Sequence, residues 1–180
     1  MYTATENLRN DHIHILKLTD IMEKIVQSQE PDVGHLESIV ELIKKYADGF
    51  HHAKEEDLLF PFIGGKGFSK EQGPVAVMLN EHEIGRNYTR GMAENIERYS
   101  NGDKDSLRLI RENMLAYVSL LRNHINKEDN ILFRMAENVL SSDEQQLLLT
   151  QFEKVESGLG KDLLHNFVLK IQELSKAYNI

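Results

Sequence analysis

The amino-acid sequence predicts an all-α protein, an up-down-up-down four-helix bundle with an additional C-terminal helical segment. Three observations carry this. Helix breakers are scarce: 180 residues hold 3 Pro and 11 Gly, and Gly64, Gly65, Gly67 and Gly73 cluster in one short stretch. In the long segments left between breakers, apolar residues recur at steps of three and four, the period of a helix with one buried face. The connections are short, which makes successive helices antiparallel neighbours. The length suits one hydrophobic core, and we place the bundle in residues 1–140 and a helical extension packed on it in 141–180.

The first helix is expected from about Thr5 to Gln29, opened by the capping box Thr3-Ala4-Thr5-Glu6 and closed by Glu30-Pro31-Asp32. Its stripe is Leu8, His12, Ile15, Thr19, Met22, Val26. A second helix, about Val33 to Phe62, carries Leu36, Val40, Ile43, Ala47, His51, Glu55, Leu58, Phe62, and the Gly-rich loop Ile63 to Gly73 follows. Pro74 suits the first turn of a third helix, which reaches about Ser100 with the stripe Val75, Met78, His82, Gly85, Thr89, Met92, Ile96. Asn101-Gly102-Asp103 turns the chain into the fourth helix, about Lys104 to Leu140. Its seam (Leu107, Ile110, Met114, Tyr117, Leu121, His124, Glu128, Ile131, Met135) alternates steps of three and four without a break. Ser141-Ser142-Asp143-Glu144 starts a helical tail, interrupted near Gly158-Leu159-Gly160.

Composition removes several function classes. With no cysteine there is no disulfide, thiolate metal site, cysteine nucleophile or iron–sulfur cluster. A net charge of −8 argues against binding nucleic acid through its phosphates. No apolar run approaches the roughly 18 to 20 residues that span a bilayer. The N-terminus, MYTATENLRND, lacks the basic and apolar regions of a signal peptide, so a cytoplasmic location is expected, with no membrane partner.

The positive signal lies in the stripes. Each of the four helices places one His in its core face, and the second and fourth add a Glu one turn later. A local repeat supports the choice: HHAKEEDLLF from His51 aligns with HINKEDNILF from His124, pairing His51 with His124 and Glu55 with Glu128. The heights agree as well. At about 1.5 Å per residue, counting from the turns brings His12, His51, Glu55, His82, His124 and Glu128 to one level, toward the end with the Gly-rich loop. A lone His in such a stripe is ordinarily a satisfied core histidine. Six polar groups converging in an apolar core are different, because two buried carboxylates without cations would cost several kcal/mol each or be forced neutral. Imidazole with carboxylate points to a transition metal, and six ligands to a dinuclear site.

At Asp11-His12, HHAKEEDLLFP, EHEIGR and HINKEDNILF the sequence resembles the hemerythrin family, specifically its HHE cation-binding domains. The resemblance runs over the whole chain. It implies a non-haem centre of two iron ions, joined by an oxo or hydroxo bridge, with His12, His51, Glu55, His82, His124 and Glu128 as ligands. Zinc or manganese could substitute. The family's oxygen carriers have a second His one turn from the first on the third helix; here those positions hold Met78 and Arg86. The remaining four-His, two-carboxylate set is closer to the family's repair-of-iron-centres proteins, whose cysteine-containing N-terminal region this chain lacks.

If both glutamates bridge, this set leaves an open position on each metal. The expected function is therefore binding of, or reaction with, O2, NO or peroxide, or the handling of iron, in a small dry pocket formed by Leu8, Ile15, Ala47, Leu58, Met78 and Leu121. The alternatives are a diiron oxidase or peroxidase acting on an organic substrate, which needs a larger cavity, and a bundle whose metal is purely structural. His52, Glu56, Glu81 and Arg86 are candidates to orient ligands, or else solvated flanks. Tyr117 lies two turns from His124 on the same seam, with core packing its expected role. His14 competes with His12 on a neighbouring stripe, while His35 and His165 are expected at the surface. Glu23 shares a face with His12 but lies about 16 Å along the axis, too far to be a ligand.

Overall fold

The computed structural model describes residues 2–158 and 161–180, and all regular structure among them is helical. The first rod is α1 (Ala4–Gln27), whose Thr3 and Glu6 form the expected capping box. The second starts as α2 (Val33–Leu42), capped by the Asp32 side chain on the His35 amide, and runs unbroken through π-helical turns at Ile43–His52 and Glu55–Leu59 into α3 (Phe60–Gly64). The third is α4 (Gly73–Ser100). After a tight turn in which Gly102 takes the left-handed φ of 99°, the fourth rod comprises α5 (Ser106–Lys127), a π-helical turn at Glu128–Leu132 and α6 (Phe133–Val139). The extension folds as α7 (Ser142–Gly158) and α8 (Lys161–Ala177). The expected interruption at Leu159 and Gly160 lies outside the described residues. No described helix is long and apolar enough to cross a membrane.

The core is split into two apolar clusters. One gathers Ile15, Leu18, Ile43, Phe50, Met92, Met114 and Leu121, and α8 adds Phe167, Ile171 and Leu174. The other gathers Leu8, Leu59, Phe60, Val75, Met78 and Phe133, with Leu148 and Phe152 from α7. Each rod crosses from one cluster to the other, and the polar stripe residues sit at that crossing. The C-terminal helices thus complete both clusters. His35, expected at the surface, is half-buried and hydrogen-bonds the Tyr178 hydroxyl at 2.9 Å, tying the C-terminus to α2; His165 is exposed, as expected.

One expectation fails in a regular way. Beyond each glutamate the sequence stripe continues at Leu58 and Phe62, and at Ile131 and Met135. The buried residues are instead Leu59, Phe60 and Ile63, and Leu132, Phe133 and Ala136, while Ile131 is 51% exposed. The cause is the π turn. The Phe60 amide donates to the Glu55 carbonyl and the Phe133 amide to the Glu128 carbonyl, five residues back rather than four. Each turn holds one extra residue and advances the inward face by one. Such bulges concentrate at functional sites.

Candidate metal centre

The rods bring the six stripe residues together. The Nε2 atoms of His12 and His51 face each other at 3.0 Å, and those of His82 and His124 also at 3.0 Å. Glu128 reaches both pairs, with Oε2 3.3 Å from His12 Nε2 and Oε1 3.2 Å from His124 Nε2. Glu55 does likewise through Oε2, 3.7 Å from His51 and 3.5 Å from His82. All six are buried, and no oxygen of either carboxylate accepts a hydrogen bond.

Behind each imidazole stands a carboxylate, and behind each carboxylate a cation. His12 Nδ1 lies 2.9 Å from Asp129, which Arg9 faces at 3.8 Å. His51 Nδ1 lies 3.2 Å from Asp11, which also pairs with the fully buried Lys54. His82 Nδ1 is 2.6 Å from Glu56, held by Arg86 at 2.7 Å. His124 Nδ1 is 2.9 Å from Glu81, which pairs with Lys127. The lysines occupy equivalent places in the sequence repeat, three residues after each repeat histidine, so the repeat encodes the supporting layer as well as the inward His and Glu residues.

The protonation consequences follow. A carboxylate on Nδ1 fixes the proton there and leaves the Nε2 lone pair pointing inward. Two such lone pairs 3.0 Å apart repel unless a proton or a cation lies between them. Without a metal, burial and the Glu128 charge push Glu55 well above the usual carboxylate range. Burial opposes ionisation of Glu128, but His124 and His12 outweigh it and hold that carboxyl well below. Burial pushes His51 down to about 4 against the pull of Asp11. For His124 burial is outweighed by Glu128 and Glu81, and its pKa rises to about 9. The donor set, four inward imidazole nitrogens and four orphaned buried oxygens, fits two transition-metal ions.

A fifth imidazole joins this group. His52 is buried, its ring stacked on that of His82 with centroids 3.6 Å apart and planes 13° apart. It has the same support as the others: Nδ1 lies 3.2 Å from Asp48, which accepts from Arg86 Nε at 2.8 Å. Donor atoms of His52, Glu55, His82 and His124 lie within 4.8 Å of one another, as do those of His12, His51, Glu55 and Glu128. The sequence names His52 only as a candidate to orient ligands, because the repeat register pairs His51 with His124. The signal available was the His51-His52 doublet; the π-helical segment ending at His52 is what lets both rings enter the core.

The remaining sequence candidates divide clearly. Glu56 and Glu81 lie against the Nδ1 atoms of His82 and His124, and Arg86 holds Glu56. His14 is half-buried against Tyr46 with ring centroids 6.2 Å apart, away from the cluster. Glu23 pairs with Arg122 at 2.8 Å. A cavity of about 290 Å³ touches His52, His82 and His124, and of the six residues expected to form a small dry pocket only Leu121 borders it.

A family model described as the hemerythrin HHE cation binding domain matches residues 3–136. Among curated proteins, the uncharacterized protein Rv1995 of Mycobacterium tuberculosis and its counterpart Mb2018 in Mycobacterium bovis are each 22% identical, across 99% of this chain and 71% of theirs. No solved structure matches.

Proposed function

The chain belongs to the hemerythrin HHE cation-binding domain family, and from that premise we propose that it is a non-haem diiron protein that binds or reacts with O2, NO or peroxide. The observation that carries the reading is the pair of facing imidazole couples spanned by two buried carboxylates with no hydrogen-bond partner. His12 and His51 would hold one ion, His82 and His124 the other, with Glu55 and Glu128 shared between them. Two iron ions so held supply reversible one-electron chemistry and coordination for a small ligand.

The protein's own contribution is positioning and asymmetry. The carboxylate–cation layer orients every imidazole and keeps the Nδ1 protons in place. His52 adds a third imidazole on the His82/His124 side. The repeat places Ile125, buried and apolar, at the position equivalent to His52 on the other side. The two halves of the donor set therefore differ, three imidazoles on the His82/His124 side and two on the His12/His51 side, and a small ligand would have more room beside the latter. This modifies the sequence expectation of an open position on each. It also fills the place of the histidine missing from the third helix with one from the second.

The test is metal analysis with optical spectroscopy of anaerobically reduced, then aerated protein. About two iron ions per chain and a visible spectrum that changes on aeration are expected. Zinc at full occupancy after expression in iron-replete cells, with no spectral change, would favour a structural metal.

A further inference from the structure

The cavity beside the His52 side of the centre is too large for the ligands considered so far. An engineered cavity of about 150 Å³ holds a benzene molecule; this one measures about 290 Å³. A diatomic would leave most of it vacant. Its inner end is formed by the imidazoles of His52, His82 and His124, and its walls by Leu121, the Tyr117 ring and the bare backbone face of Gly85. Gly85 matters here because it sits on the inward stripe of α4. A Cβ there would lie 3.5 Å from Tyr117 Cε2 and 3.7 Å from Leu120 Cδ2, so a larger side chain would fill the cavity.

Polar features sit at two depths. Tyr117 is 3% exposed, and its hydroxyl makes no hydrogen bond among the described residues, so a donor is available inside the cavity. At the rim, Lys44 and Arg90 are exposed and pair with no carboxylate among the described residues, in a chain whose net charge is −8. The carboxylates that also line the cavity, Asp48 and Glu81, are already held by Arg86 and Lys127. The unspent charge is positive.

We propose that this cavity binds a small organic carboxylate with a ring-sized apolar body, its apolar part between Gly85, Leu121 and the Tyr117 ring and its charge toward Lys44 and Arg90. Apolar burial supplies affinity and the two cations select the anion. The site stands on the cavity and its rim, and needs no particular metal chemistry.

Benzoate and its neutral analogue benzyl alcohol are suitable probes, titrated into the protein as purified by calorimetry and ligand-observed NMR. Benzoate is expected to bind about ten-fold more tightly than benzyl alcohol. The exposed double variant Lys44→Gln/Arg90→Gln should bring benzoate to the level of the alcohol, with metal content unchanged. Gly85→Leu should abolish binding of both, and if it fails to fold, Gly85→Ala should weaken both. Equal affinity for the two probes, no binding of either, or rim variants that bind benzoate as the wild type does would overturn the proposal. Metal content is measured separately, so a protein that binds benzoate yet holds no iron would sink the diiron reading and leave this one standing.

Discussion

Glu55 and Glu128 each face two histidine pairs, whereas Glu56 meets a single histidine, at the Nδ1 of His82, and Arg86 behind it. Their substitutions should therefore separate cleanly. Under the proposed function, Glu55→Ala or Glu128→Ala is expected to lose most of both ions, because each removes a carboxylate that faces both histidine pairs. Glu56→Ala should keep both at saturating metal and bind them about 10- to 100-fold more weakly, as expected for a group that orients a ligand. Inductively coupled plasma analysis after dialysis against graded chelator distinguishes the two; an empty Glu56→Ala beside a full Glu55→Ala would refute the ligand register. The lysines of the repeat differ in burial, Lys54 being fully enclosed and the Lys127 side chain 32% exposed. Lys54→Ala leaves Asp11 buried without its cation and should cost about 3–5 kcal/mol in urea unfolding, while Lys127→Ala should cost about 1 or less.

At the scale of elements, the π turns and the C-terminal helices do work that the four stripes do not reveal. The turns after Glu55 and Glu128 shift the inward face by one residue, so the glutamates and the apolar residues beyond them can both point inward. Helix α7 seals the cluster around Leu8, Leu59 and Phe133 and covers Lys54, whose ammonium lies 5.6 Å from the Phe152 ring centroid. Phe152 is fully buried, and Phe152→Ala should destabilise by about 3–5 kcal/mol. A change below about 1 kcal/mol in denaturant unfolding would show that α7 is dispensable to the core.

For the whole molecule, stability and metal content should be linked. Without metal the core must hold two carboxylates and five imidazoles, so chelation should lower Tm markedly, and equal Tm values with and without chelator would contradict a buried centre. The pH dependence has a definite sign. Glu55 and His124 have raised pKa values, that of His124 reaching about 9, so their stabilising protons are in place at low pH and lost as pH rises. His51, lowered to about 4, changes only below its unfolded value near 6.5. Between pH 6.5 and 9 the metal-free protein should therefore lose stability, by about 3 °C in Tm for each kcal/mol. The metal-loaded protein, its ligands already deprotonated, should lose less. Calorimetry of both forms at the two pH values decides it.

The helical class, the four rods and the convergence of six polar residues were legible in the sequence because they rest on local periodicity and on counting along straight helices. The repeat even marked the lysines, although their role became visible only with Asp11 and Glu81 in place. What periodicity could not supply was any departure from 3.6 residues per turn. The π turns moved Ile131 to the surface and turned His52 inward, and both changes depend on which carbonyl an amide finds once the rods are packed. The cavity beside Gly85 and Tyr117 is likewise a gap where α4 and α5 meet the segment Ile43–His52, and its size depends on how closely these helices approach. Period and burial cost are properties of one strand of sequence, whereas backbone register under packing and the space between helices exist only in the assembled bundle.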